Sequence, residues 1–127
     1  MLNTKGLTIQ KAHKHLIDGD FSVRELAESY LKNIEEKNPN INAYLEVFSD
    51  VLTQADEADK KISEQKSNSH SLAGIPFAIK DNILIKGRIA SCGSKILENY
   101  KAAYDASAIT KLKKAGAFFL GRTNMDE

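Results

Sequence analysis

The apolar residues of this 127-residue chain change their spacing once, at a polar stretch, and that change narrows the folds open to it. From Thr8 to Ile17, Ile9, Ala12, Leu16 and Ile17 fall at i, i+3, i+7 and i+8, one face of a helix, with Gly19 placed to stop it. Ser22 followed three residues later by Glu25 is a capping box. Val23, Leu26, Ala27, Tyr30, Leu31 and Ile34 then carry a second helical stripe, which Asn38 and Pro39 are expected to end. Ala43, Leu45 and Val47 alternate with Tyr44, Glu46 and Phe48, as a short strand does. A third helix is expected from Val51 to Ile62, where Val51, Ala55, Ala58 and Ile62 share a face. Asp56 with Lys60 and Glu57 with Lys61 are i,i+4 pairs able to support its exposed side.

The stretch Gln65 to Ser71 is rich in Ser and Asn and reads as a loop. Beyond it the apolar residues come in short unbroken runs. Ile75 to Ile85 predicts a buried strand over Phe77 to Lys80, entered at Pro76, and a second extended segment at Ile83 to Ile85. Asp105 is placed to cap a helix through Ile109 and Leu112, Gly116 to close it, and Ala117 to Leu120 to form a compact strand. The expected class is therefore α/β within one domain: residues 1–65 mainly helical, 66–71 a loop and 72–127 βαβ-like.

With 42% hydrophobic residues the chain can feed one core, which excludes a disordered or fibrous class. Lys and Arg number 18 against 17 Asp and Glu, leaving no basic excess to neutralise a phosphate backbone, so nucleic-acid binding by this segment is not expected. No apolar run approaches the roughly 20 residues of a membrane span, and the first residues have no apolar signal-peptide core, so a cytoplasmic protein without membrane contact is expected. Cys92 is the only cysteine, and the scattered His13, His15 and His70 form no zinc-type set, so no metal is expected.

Three features could carry chemistry. Gly116, Gly121, Arg122 and Thr123 have the spacing of a phosphate-binding loop with Arg in place of Lys, but the residues between the glycines are Ala-Phe-Phe-Leu, a strand after a helix rather than a loop before one. Cys92 lies in the small polar run Ser91-Cys92-Gly93-Ser94 with no base fixed beside it, so a tight turn with Ser94 capping a short helix at Lys95 to Leu97 is the simpler reading. Lys80 interrupts a strand suited to burial. Side chains alternate, so Lys80 shares a face with Ala78, and Asp81 shares the other with Phe77 and Ile79. On a buried face an ammonium costs several kcal/mol unless paired, and desolvation favours its neutral, basic form. A lysine at a strand end more commonly emerges into solvent, and the pattern alone leaves both readings open.

The run Gly74-Ile75-Pro76-Phe77-Ala78-Ile79-Lys80-Asp81-Asn82 resembles the lysine motif of the amidase signature family. It is followed in order by Ser91-Cys92-Gly93-Ser94-Lys95-Ile96-Leu97-Glu98-Asn99-Tyr100, Tyr104-Asp105-Ala106, Lys114-Ala115-Gly116-Ala117 and Gly121-Arg122-Thr123-Asn124-Met125-Asp126-Glu127. The Cys-Gly-Ser and Asn-Met-Asp-Glu blocks are similar to the tRNA-dependent amidotransferase branch of that family, and the resemblance runs from about Leu7 to the end. It implies a large mixed, twisted sheet with helices, of which these residues supply the early helices and first strands. It also implies a Ser, cis-Ser and Lys catalytic set, whose lysine falls on Lys80. The family's two serines lie in a Gly/Ser-rich stretch beyond Asn-Met-Asp-Glu, so the chain read to Glu127 is expected to be an inactive fragment when alone. Ser91 and Asn124 are expected near the site.

The resemblance further implies glutamine as substrate and ammonia passed on for transamidation of misacylated Glu-tRNA(Gln) or Asp-tRNA(Asn). The partners implied are amidotransferase subunits B and C in a heterotrimer. ATP, Mg and most tRNA contact are expected on the partner, with no cofactor on this chain. The alternatives are a stand-alone amidase of the same family and a non-catalytic module that binds a partner. For a broken-off piece, the incomplete sheet should leave Phe77, Ile79, Phe118 and Phe119 uncovered and strand edges unpaired.

Overall fold

The computed structural model describes residues 2–126. Its helical half follows from local signals. Helix α1 spans Ile9–Asp18: Thr8 accepts the Lys11 N–H at its start, and Gly19, left-handed at φ 78°, donates to the His15 and Leu16 carbonyls at its end. Helix α2 begins at Val23 with the capping box formed in both directions between Ser22 and Glu25. Two further N-terminal donors are met from outside, because the Asp59 carboxylate accepts the N–H groups of Val23 and Arg24 at 2.7 and 3.1 Å.

The expected stop at Asn38 and Pro39 does not occur. Helix α2 spans Val23–Ile41 with Pro39 inside it. A proline this close to the end removes one donor only, and the turn is held instead by Asn42, left-handed at φ 50°, whose N–H reaches the Asn38 carbonyl. The Asn38 side chain both donates to the Tyr44 carbonyl and accepts the Tyr44 N–H, which ties the helix end to the first strand.

Helix α3 spans Val51–Gln65 and buries the expected Val51, Ala55, Ala58 and Ile62. Its acidic side works across helices rather than along α3: Asp56 takes a guanidinium nitrogen of Arg24 at 2.7 Å. A short 3-10 turn, Lys66–Asn68, opens the expected loop.

Strands β1 (Tyr44–Val47), β2 (Pro76–Lys80) and β3 (Phe118–Thr123) form a mixed sheet in the order β1-β3-β2. Helix α4 (Ser107–Lys114) makes the crossover between the parallel strands β2 and β3, and β1 pairs with β3 antiparallel. The chain is thus α/β with the βαβ connection expected of its second half. Strand β3 runs past Leu120 to Thr123, and its register slips against β2 between Phe77 and Ala78, leaving Leu120 without a partner there. The Leu120 carbonyl accepts the Phe48 N–H instead.

Three local expectations fail. Ile83 to Ile85 is not a strand, since Ile83 N–H turns back to the Lys80 carbonyl and the chain leaves the sheet, although Ile85 still packs into the core. Asp105 does not cap α4. Its two oxygens are occupied by the Lys86 N–H and the Lys113 ammonium, and Ala106 holds the cap position. The 3-10 turn Lys95–Leu97 follows Ser94 as expected, but no cap bond comes from the Ser94 hydroxyl.

The sheet is not left bare. Ile79, Phe118 and Phe119 are buried and Phe77 is half-buried, packed in one core with Val23, Leu26, Val51 and Ala55. Gln54 of α3 accepts the Phe119 N–H and donates to its carbonyl, both at 3.0 Å, which is what a neighbouring strand would do there. The expectation of uncovered faces at these residues is therefore overturned by α3 lying across β3. Among the described residues no strand pairs with the outer edge of β1 or β2, as expected, although Asn38 meets the Tyr44 N–H and carbonyl on the β1 side. The exposed large apolar side chains are Ile41 at the end of α2, Leu45 and Val47 of β1, Ile96, Leu97, Tyr100 and Tyr104, together with Ile9. Ile9 stands in the first turn of α1 and faces solvent instead of joining the buried Ala12 and Leu16, as its spacing predicts it should. Among the described residues no helix is long and apolar enough to cross a membrane.

Candidate active site at the end of the second strand

Lys80 is the last residue of β2, in register with Thr123. Strand alternation puts it on the face of Ala78, which is exposed, while Ile79 and Asp81 are buried. Its side chain keeps 43% of its area in solvent, and Nζ donates to Oδ1 of Asp126 at 2.7 Å. That bond from Lys80 holds the Asp126 carboxyl below its ordinary range. Lys80 is therefore on the open face of the sheet, and the counter-charge beside it is Asp126 rather than its chain neighbour.

Asp81 turns the other way and is 1% exposed. Its carboxylate accepts four hydrogen bonds: from the Ser91 N–H (3.1 Å), the Ser91 hydroxyl (2.5 Å), the Gly93 N–H (2.8 Å) and a guanidinium nitrogen of Arg122 (2.9 Å). Burial pushes this carboxyl up, but the bonds from Ser91, Gly93 and Arg122 outweigh it and hold the group below its ordinary value. Its main chain is also tied, with N–H to the Thr123 carbonyl and the carbonyl to Cys92 N–H. Arg122 forks between Asp81 and Glu46 of β1 and also reaches the Ser91 hydroxyl, so one cation on the central strand joins both neighbours and the Ser91–Gly93 loop.

The remaining candidates divide. Ser91 is buried within this network, its hydroxyl committed to Asp81. Cys92 is exposed and left-handed at φ 51°, a turn residue as the simpler reading has it. Asn124 is engaged on the β1 side, donating to the Asn42 carbonyl. Met125 lies over Gly93, where an added Cβ would come within 3.3 Å of its Cγ. Gly121 sits within β3 against the Glu46 carbonyl, not in a phosphate loop.

Arg122, Glu46 and Asp126 were not legible as site residues from spacing. A signal existed for the first: a carboxylate on the Ile79 face needs buried donors, and the adjoining strand could supply them.

This lysine-ended strand, its buried aspartate and the loop that wraps it occur within a segment, residues 25–127, that matches the family model described as Amidase. The chain belongs to the amidase family. The chain is 43% identical over 122 residues to the glutamyl-tRNA(Gln) amidotransferase A subunit of Syntrophobacter fumaroxidans, a match covering 95% of this chain and 25% of that protein. It superposes on the A subunit of the glutamyl-tRNA(Gln) amidotransferase from Thermotoga maritima with a TM-score of 0.73 at 31% identity, covering all of this chain and 25% of that one. It also superposes on the peptide amidase of Stenotrophomonas maltophilia with a TM-score of 0.86 at 28% identity, over 95% of this chain and 25% of that one. The chain thus spans about a quarter of the length of the relatives it matches.

Proposed function

We propose that these residues are the lysine-bearing N-terminal part of the glutamine-hydrolysing A subunit of a tRNA-dependent amidotransferase. The 43% identity to such a protein across 95% of the chain is the observation that carries this reading. In it Lys80 is the general base. A serine hydroxyl outside residues 1–127 attacks the side-chain amide carbon of glutamine, and its proton passes through a second serine to the Lys80 amine. Backbone N–H groups hold the oxyanion, and collapse of the tetrahedral intermediate returns the proton to the departing ammonia. Water then cleaves the acyl-enzyme to give glutamate. Lys80 on the open face of the sheet, reachable by a further segment of chain, is compatible with this role, and Asp126 must yield its contact as the serines engage.

The ammonia serves transamidation of Glu-tRNA(Gln) or Asp-tRNA(Asn) in a cytoplasmic heterotrimer with subunits B and C. ATP, Mg and most of the tRNA contact belong to the partner, in keeping with a net charge of +1 here. The test uses the complete gene product containing residues 1–127, co-purified with subunits B and C. Lys80→Ala is expected to abolish glutamate release while leaving the complex assembled, and residues 1–127 alone are expected to release none. Undiminished glutaminase activity in Lys80→Ala would overturn the reading.

The TM-score of 0.86 against a peptide amidase supports a second reading, a stand-alone amidase of the same family. Activity of the complete product on other amides, with no requirement for two partners, would favour it. The buried sheet face keeps the non-catalytic module in play as well, and co-purification without any amide hydrolysis would favour that.

A further inference from the structure

Lys80 itself is held by one exposed contact, yet the residue beside it is among the most tightly bonded in the chain. Asp81 makes six hydrogen bonds, four through its carboxylate and two through its main chain, to Ser91, Cys92, Gly93, Arg122 and Thr123. It is buried on the opposite side of the strand from the Lys80 side chain, so it neither pairs with the ammonium nor reaches the open face.

We infer that Asp81 is a positioning residue for Lys80: by anchoring the end of β2 to Arg122 and to the Ser91–Gly93 loop, it sets where the Lys80 side chain leaves the sheet. This rests on the reading of Lys80 as the base. An edge strand has a ladder on one side only, and β2 leaves its sheet immediately after Lys80 at the Ile83 turn, so without the Asp81 bonds the backbone there would be tied by little more than the β3 ladder. The chemistry requires a carboxylate. An amide in its place offers one acceptor atom and points an NH2 group at donors, so part of the set of Ser91, Gly93 and Arg122 donors loses its partner. Arg122, 14% exposed, would keep only Glu46 as a counter-ion.

The experiment uses the same complex, with steady-state glutaminase kinetics and thermal melting on Asp81→Asn, Ser91→Ala and Lys80→Ala. A lysine displaced by about an ångström should lower kcat roughly a hundredfold in Asp81→Asn while KM for glutamine stays within about twofold, because substrate is not touched. Ser91→Ala, which removes one of the four carboxylate bonds, should lower kcat about tenfold with the same unchanged KM. A folded Asp81→Asn complex with kcat within about threefold of wild type, or with the loss expressed mainly in KM, overturns the inference. If Asp81→Asn does not assemble, Ser91→Ala decides: kcat equal to wild type overturns the inference, and the kcat-selective loss sustains it. Activity in Lys80→Ala is a separate outcome that removes the base itself, whatever Asp81 does.

Discussion

Lys80 and Asp126, 46 residues apart in the chain, are joined by a 2.7 Å ion pair on the open face of the sheet. The pair is exposed, so salt and competing contacts can dissolve it. Because the Lys80 bond holds the Asp126 carboxyl low, a carboxyl NMR titration of residues 1–127 should find Asp126 titrating below the ordinary aspartate value of about 3.9. Lys80→Met should raise it toward that value, the Asp126 N–H still holding it somewhat low. An Asp126 titration identical in the two proteins would show that the pair does not form in solution.

Burial of Ile79, Phe118 and Phe119 beneath α3 closes one core within these residues. Residues 1–127 are therefore expected to be monodisperse and to unfold in urea in one transition seen alike by far- and near-ultraviolet circular dichroism. Non-coincident transitions, or aggregation at micromolar concentration, would contradict this.

Gly121 should tolerate no side chain. A Cβ there would be driven into the Glu46 carbonyl across the β1–β3 pair, a backbone atom that cannot swing aside. Gly121→Ala is expected to cost about 3 kcal/mol or more and to release β1. Urea denaturation gives the magnitude, and hydrogen exchange at Phe48, whose N–H bonds Leu120, reports the strand. A loss below about 1 kcal/mol would mean that the two strands are not in this close register.

The start of α2 is held twice, by its own Ser22 and by Asp59 of α3. Ser22→Ala should cost about 1 kcal/mol, the ordinary worth of a cap. Asp59→Ala should cost more, about 1–2 kcal/mol, because it frees the N–H groups of both Val23 and Arg24 and removes an anion from a helix N-terminus. The reverse ranking in equilibrium unfolding would place the main cap within α2.

Acid should unfold the chain through specific carboxylates. Asp81 is held low by its hydrogen bonds against burial, and Asp105 by the Lys113 ammonium and then the Lys86 N–H. For a depressed carboxyl, stability is fully present above the unfolded-state value near 3.9 and is lost as pH falls through the lower folded value. Unfolding free energy should thus be insensitive to these groups from pH 7 to about 5 and decline below about 4. Asp105→Asn should be less stable at pH 7 and show a shallower decline, and a decline as steep as wild type would remove Asp105 from the set.

How far the residues could be read differs by element. The three helices before residue 66 and the β-α-β order after it follow from apolar spacing and from Thr8, Gly19, Ser22 and Glu25, whose partners lie within one turn. Pro39 misled because a proline's cost depends on how many helical bonds lie beyond it, which residues 42–44 decide. Asp105 misled because an aspartate able to cap α4 met Lys86 and Lys113 first. Lys80 stood out through the family resemblance, and its choice of face through strand alternation. Its partner Asp126 had no such signal.

What one turn of helix or one strand period can satisfy was present in the linear chain: where α1 and α3 lie, which face α3 buries, that Gly116 closes a helix, and that Lys80 and Asp81 point apart. Partners distant in sequence emerged only on folding. The central place of β3, the two bonds from Gln54 of α3 to the Phe119 main chain, the close approach that makes Gly121 necessary, and the clasp of Asp81 by Ser91, Gly93 and Arg122 each join residues separated by 10 to 79 positions. Spacing carries no record of such pairs, since a buried carboxylate states only that it needs donors, and the packing of the whole chain selects which donors reach it.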